Sequence, residues 1–168
     1  MQKLVTGMPI NRGFTLIEIL IVIVIIGITV GFALIAFGDF GQNRRLQFSA
    51  EQLSNTLRLA QQQALLETTT LGLRIDNISY QILKFQASSG WNPISTKGVF
   101  KMTYFPKNTV ITLKTANTPP LDIPTVVINS SGDMTPFTLS IGTSKDTVVI
   151  TLKGFHNGHL ILNEVKKR

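Results

Sequence analysis

The sequence predicts an α+β protein. A long N-terminal helix, membrane-spanning in its first half and amphipathic in its second, packs on an antiparallel β-sheet or a two-sheet β domain. Three observations predict it. From Ile19 to Phe37 about 19 consecutive residues carry no charge, close to the roughly 20 that a helix needs to cross a bilayer core. Beyond it, Leu46, Ala50, Leu53, Leu57, Ala60 and Ala64 recur at spacings of 4, 3, 4, 3 and 4, one stripe on a helix. From Leu71 onward the chain breaks into short β-branched or alternating runs separated by Gly, Asn, Asp and Pro.

The elements follow in order. Residues 1–13, "MQKLVTGMPINRG", are polar and cationic, with no helical pattern. An ordinary secretory signal is cleaved after its apolar core at small residues, but here the core is followed by "GDFGQNRR", with no such site. Residues 14–37 therefore read as a membrane anchor, and 38–67 as its amphipathic continuation, ended by Thr68 to Thr70 and Gly72. A helix from Phe14 to Glu67 would have about 54 residues and a length near 80 Å, with Gly38 and Gly41 as its weak point. The stripe is Leu and Ala, so whatever covers it comes close, and a sheet of the same chain is the expected cover.

Residues 71–168 form the β domain. "LGLRID" and "SYQILKF" read as strands flanking a turn at Asn77, and "VFKMTYF" and "VITLKT" as a hairpin across "PKNT". "ANTPPLDIP" is a proline-rich connection. "TVVINSS", "FTLSIG", "TVVITLK" and "HLILNEV" complete the strands, and Trp91 is expected as a partly buried anchor of the sheet.

Composition narrows the function. Cysteine is absent, which excludes disulfides, thiol nucleophiles and thiolate metal sites. The net charge is +7; loss of Lys3 and Arg12 with residues 1–13 takes 16 basic residues to 14 against 9 acidic, a net charge of +5. Lys166, Lys167 and Arg168 end the chain, a solvated tail or, in a second reading, a phosphate contact. His156 and His159 flank Asn157-Gly158, where no helical face exists and no third ligand is near, so a surface turn is expected and no metal. No G-x-S-x-G or G-x-x-x-x-G-K-[ST] occurs, and spacing assembles no catalytic set. The chain is read as a non-enzyme that needs no cofactor.

One residue stands out. Glu18 lies one turn into the apolar helix, where a carboxylate costs a few kcal/mol unless paired or interfacial. If the chain is cut between Gly13 and Phe14, the new α-amine lies four residues before Glu18, on the same helix face. The same carboxylate could instead meet the amine of a neighbouring subunit and fix the register of a helix bundle. The plainer alternative is a single-pass anchor with Glu18 at the headgroups. Gly27 and Gly31 form a G-x-x-x-G pair that admits a close second helix. Arg44 and Arg45 follow the anchor, against the positive-inside rule if Lys3 and Arg12 lie in the cytoplasm.

The run Arg12-Gly13 followed by "FTLIE" and an unbroken apolar helix resembles the class III leader of type IV pilins and type II secretion pseudopilins. More loosely, "NRRLQFSAEQLSNTLRLAQQQALLETTTLGLRI", "SYQILKF", Trp91-Asn92-Pro93 and "SSGDM" resemble minor pseudopilin H of type II secretion and minor pilins of the FimT and FimU kind. The resemblance implies cleavage after Gly13 by a prepilin peptidase that also N-methylates Phe14, with Glu18 as the assembly glutamate. The family's proline near the membrane exit is missing; Ile35 stands there. The implied function is a structural subunit at or near the tip of the pseudopilus that drives protein export across the outer membrane. The implied partners are other minor and major pseudopilins, the peptidase, the inner-membrane assembly platform and secreted cargo. The implied location is the bacterial inner membrane, single-pass, with the C-terminal domain in the periplasm. The second reading is a type IV minor pilin serving pilus assembly or DNA uptake, binding DNA through Lys166, Lys167 and Arg168. A third, a membrane-anchored periplasmic enzyme, has no catalytic constellation behind it.

Overall fold

The computed structural model describes residues 14–115, 123–144 and 147–165, with the backbone alone for 35–40. The chain forms two compact units, divided between Phe40 and Gly41. Helix α1 runs Leu16–Glu67, and its apolar part, Leu16–Leu34, is 19 residues long with none of it buried inside the protein.

In the second unit the predicted stripe is the core face. Leu46, Ala50, Leu53, Leu57, Ala60 and Ala64 are all completely buried. Against them lie two antiparallel sheets. The first holds β1 (Leu71–Ile75), β2 (Ser79–Gln86), β3 (Gly90–Pro93), β4 (Thr103–Tyr104) and β6 (Val126–Ile128), in the order β3-β2-β1-β6, with β4 paired to β2. The second holds β5 (Val110–Thr115), β7 (Phe137–Gly142), β8 (Val148–Gly154) and β9 (Leu160–Glu164), in the order β5-β7-β8-β9. Alternation sets the inner faces. Leu71 and Leu73 of β1, Tyr80 and Ile82 of β2, Leu139 and Ile141 of β7, and Ile150 and Leu152 of β8 join the helix stripe in one cluster.

The helix ends at Glu67, at the Thr68 to Thr70 run expected to stop it. Thr68, not a glycine, adopts the left-handed conformation at φ 50°. Thr69 N–H donates to Ala64 O at 3.1 Å and Thr68 N–H to Leu65 O at 3.4 Å, the paired bonds of a Schellman stop. Gly72 instead lies within β1, where a Cβ would fall 2.4 Å from Pro124 Cγ and 2.9 Å from Trp91 Cζ3. Only a residue without a side chain admits both, and Trp91 packs on Phe85 with ring centroids 5.3 Å apart. Trp91 is the half-buried anchor of this outer face.

The expected "VFKMTYF"–"VITLKT" hairpin does not form. Gly98–Phe100 is a 3-10 turn, and β4 pairs with β2 through Ser79↔Tyr104 and Tyr80↔Thr103. Phe105 is buried with its ring 5.3 Å from that of Tyr80, and its N–H donates to Ile78 O at 2.9 Å. Pro106 then removes the next donor, and the chain crosses to the other sheet, where β5 pairs with β7.

Candidate functional site

The sequence places its functional residues at the two ends of the chain, and the described structure reaches them unequally. Gly13 lies outside the described residues, as do Lys166, Lys167 and Arg168. Phe14 is exposed and precedes the first helical residue, Leu16. Thr15 is the helix cap. Its Oγ1 accepts from the Glu18 N–H at 3.4 Å, and its carbonyl accepts from the same N–H at 3.1 Å. Thr15-x-x-Glu18 thus has the spacing of a capping box, with Glu18 at the third helical position. A carboxylate there also faces the positive end of the helix dipole. Sequence reasoning missed Thr15; the T-x-x-E spacing was the signal.

Among the described residues no side chain pairs with the Glu18 carboxylate, which lies exposed in the first turn. Gly27 and Gly31 follow on one helix face, and a Cβ at either would meet nothing within 4 Å. The apolar helix therefore presents an unpaired acid at its start and a small-residue notch midway. Its large Ile, Leu and Val side chains are all at least 45% exposed. Such a surface needs lipid or other helices around it.

In the second unit, Arg44 and Arg45 are exposed. His156 and His159 sit in the β8–β9 turn, where Gly158 has φ 79° and the Gly158 N–H donates to Phe155 O at 2.9 Å. Among the described residues no three His, Asp or Glu side chains converge as a metal site would require. The turn has another connection that the sequence did not reveal. Gln61 Nε2 donates to Gly158 O at 2.7 Å and to Gly132 O at 3.4 Å, tying two loop tips to the helix.

Two titratable groups in this unit are perturbed. Burial pushes the Tyr80 phenol up, and the neighbouring Thr56 and Thr103 hydroxyls offset part of that, although no hydrogen bond of normal geometry reaches the Tyr80 oxygen. The Lys84 ammonium, 2.6 Å from Glu67 Oε2, holds the Glu67 carboxyl below its usual value, with Gln63 as a second donor.

An exposed apolar helix opening on a capped Thr15-x-x-Glu18, on the same chain as a helix-and-two-sheet domain, defines a membrane-anchored subunit of the pilin type. Residues 8–34 match the prokaryotic N-terminal methylation motif, and residues 49–154 match the type II transport protein GspH. The chain belongs to the type II transport protein GspH family, the minor pseudopilins of the type II secretion system. It is 29% identical over 146 residues to type II secretion system protein H of Pseudomonas aeruginosa, covering 78% of this chain and 83% of that protein. The minor pseudopilin EpsH of the Vibrio cholerae type 2 secretion system superposes with a TM-score of 0.61 at 26% identity, covering 71% of this chain and 97% of EpsH. The type IV minor pilin FimU of Pseudomonas aeruginosa shares the fold alone, at a TM-score of 0.54 and 16% identity over 74% of this chain and 92% of FimU. The family is a structural one. Membership implies association with other pseudopilins, and the methylation motif with its apolar helix implies an inner-membrane anchor.

Proposed function

We propose that this chain is a subunit at or near the tip of the pseudopilus that drives protein export across the outer membrane. The leader 1–13 is removed after Gly13 by the prepilin peptidase, which methylates Phe14. The anchor 14–37 holds the protein in the inner membrane until the assembly platform passes it to the filament, with the β domain 71–168 in the periplasm and within reach of cargo. Glu18 then pairs with the α-amine of Phe14, its own or a neighbour's, and Gly27 and Gly31 allow a second helix to approach.

The observation that carries this reading is the Glu18 carboxylate, without a side-chain partner among the described residues, one turn into a helix long and apolar enough to cross a membrane. Breaking a buried charge pair by deleting one partner typically costs roughly 3–5 kcal/mol, enough to disfavour docking. Glu18→Ala should therefore leave cleavage intact, because it lies beyond the cut, yet reduce both crosslinking to other pseudopilins and secretion. Mass spectrometry of the membrane-extracted protein should find N-methyl-Phe14 as the first residue. An intact Met1 in cells with active peptidase, or a Glu18→Ala variant that crosslinks and secretes like wild type, would sink this reading.

A further inference from the structure

Asn157-Gly158, in the β8–β9 turn, is the one place where an asparagine of this chain precedes a glycine. An asparagine amide carbon is an electrophile that the next backbone nitrogen can reach by closing a succinimide ring. A side chain on that next residue shields its nitrogen; glycine has none and adapts its backbone to the ring. Asn157 is exposed, and Gly158 is partly so with φ 79°, so water has access to both.

The turn is already bent towards this reaction. Asn157 Oδ1 accepts the His159 N–H at 3.2 Å, the side-chain-to-backbone turn typical of asparagine. The ring closed by that bond contains both Asn157 Cγ and the Gly158 nitrogen, the attacked and the attacking atoms. The donor also points at the oxygen on which charge develops when Cγ is attacked, which is how an oxyanion hole lowers a barrier. One contact opposes the attack. The Gly158 N–H donates to Phe155 O at 2.9 Å, which keeps the proton on the nucleophile. That bond sits at an exposed hairpin tip, where local opening costs little.

We propose that Asn157 is a site of spontaneous deamidation to isoaspartate, and that the change releases the turn from α1. The Gly158 nitrogen bonds to Asn157 Cγ and gives up its proton. The bond from Cγ to Nδ2 breaks, and the side-chain nitrogen leaves with that proton as ammonia. Water then opens the succinimide at the Asn157 main-chain carbonyl, which becomes the free carboxylate. Gly158 stays joined through Cγ. Water enters, ammonia leaves, and nothing is oxidised or reduced.

The product has one more methylene in its main chain, just before the Gly158 carbonyl that Gln61 Nε2 reaches at 2.7 Å. The fit there is close: a Cβ on Gly158 would lie 2.4 Å from that Gln61 nitrogen. Lengthening the turn by a carbon–carbon bond, about 1.5 Å, moves Gly158 O off the Gln61 amide. The change is irreversible, so it acts once in the life of each molecule. It does not depend on the filament role.

Full-length protein in detergent would be kept at neutral pH in heavy-oxygen water, sampled over time and digested in ordinary water. Electron-transfer fragmentation separates isoaspartate from aspartate. The expected result is that Asn157 loses its amide before any other asparagine, giving an isoaspartyl product that carries heavy oxygen. Asn157→Gln, whose longer side chain disfavours the ring, should stay unmodified over the same period. Amide hydrogen exchange in 155–158 should be roughly two- to tenfold faster in the isoaspartyl molecules, the factor that losing one hydrogen bond implies. Asn157→Asp has the same added charge but no added methylene, and should exchange like the unmodified protein. Deamidation no faster at Asn157 than at the other asparagines, or a product that is aspartate alone, would overturn the proposal. So would isoaspartyl protein as well protected as the unmodified form, or equal loss of protection in Asn157→Asp, which would make charge the cause.

Discussion

Thr68 occupies a backbone conformation that its own side chain resists. A β-branched residue at positive φ crowds the following carbonyl, at roughly 1–2 kcal/mol for an ordinary L-residue. Glycine at this helix stop would carry no such cost. Thr68 is exposed, so Thr68→Gly removes strain and little packing, and should stabilise the fold by about 1 kcal/mol in urea denaturation. Its neighbour Glu67 is the last residue of α1, where the negative end of the helix dipole disfavours a carboxylate. The Lys84 ammonium compensates, and the hydrogen bond between them is the largest cause of the lowered Glu67 pKa. A carboxyl whose folded pKa is lowered stabilises the fold above its unfolded pKa, and that contribution is lost as pH falls through the lowered folded value. Stability should therefore decline on acidification through the carboxylate range, and less steeply in Lys84→Met. The pair is exposed and screened, so the difference should also shrink at high salt. Equal pH slopes for the two proteins at low salt would remove Lys84 as the cause.

At the scale of elements, the joint between α1 and the sheets has two parts. The buried Leu and Ala stripe supplies the apolar contact, and Gln61 supplies the directional one, with its amide on Gly158 O and Gly132 O. Both glycines have positive φ, 79° and 87°, and a Cβ at Gly158 would lie 2.4 Å from Gln61 Nε2. At Gly158 the loop approaches the helix this closely because that residue has no side chain. Gln61→Ala should cost about 0.5–1.5 kcal/mol, the usual net worth of a hydrogen bond. Faster amide hydrogen exchange should appear in 129–133 and 155–158, with the sheet cores unchanged. If the two loops stay as protected as in wild type, the tie is not what orders them.

For the whole molecule, residues 41–168 contain the full core cluster and both sheets. That segment alone should be a soluble monomer with one cooperative melt; aggregation or a featureless melt would mean that the stripe needs a cover from elsewhere. Much of this was legible beforehand. The 4-3-4-3-4 stripe named each buried apolar residue of the helix because periodicity is a local property of the sequence, and Arg12-Gly13-Phe14 with Glu18 pointed to the family. What could not be read was non-local. Nothing in "VFKMTYF" says that Thr103 and Tyr104 pair with β2, since that depends on Phe105 packing beside Tyr80 from a strand distant in sequence. Gln61 looked like any polar residue on a helix until two loops, 71 and 97 positions away, met it. The Gln61 contact also has a mechanical meaning for a subunit of a pseudopilus. An apolar stripe resists being peeled off but tolerates slippage, because one methyl-lined contact replaces another. A hydrogen bond does not. A slide of the helix by one residue's rise, about 1.5 Å, carries the 2.7 Å contact to Gly158 O beyond bonding distance where it runs along the bond. Gln61 thus gives the joint between the helix and the two loop tips a direction, which the apolar stripe alone does not.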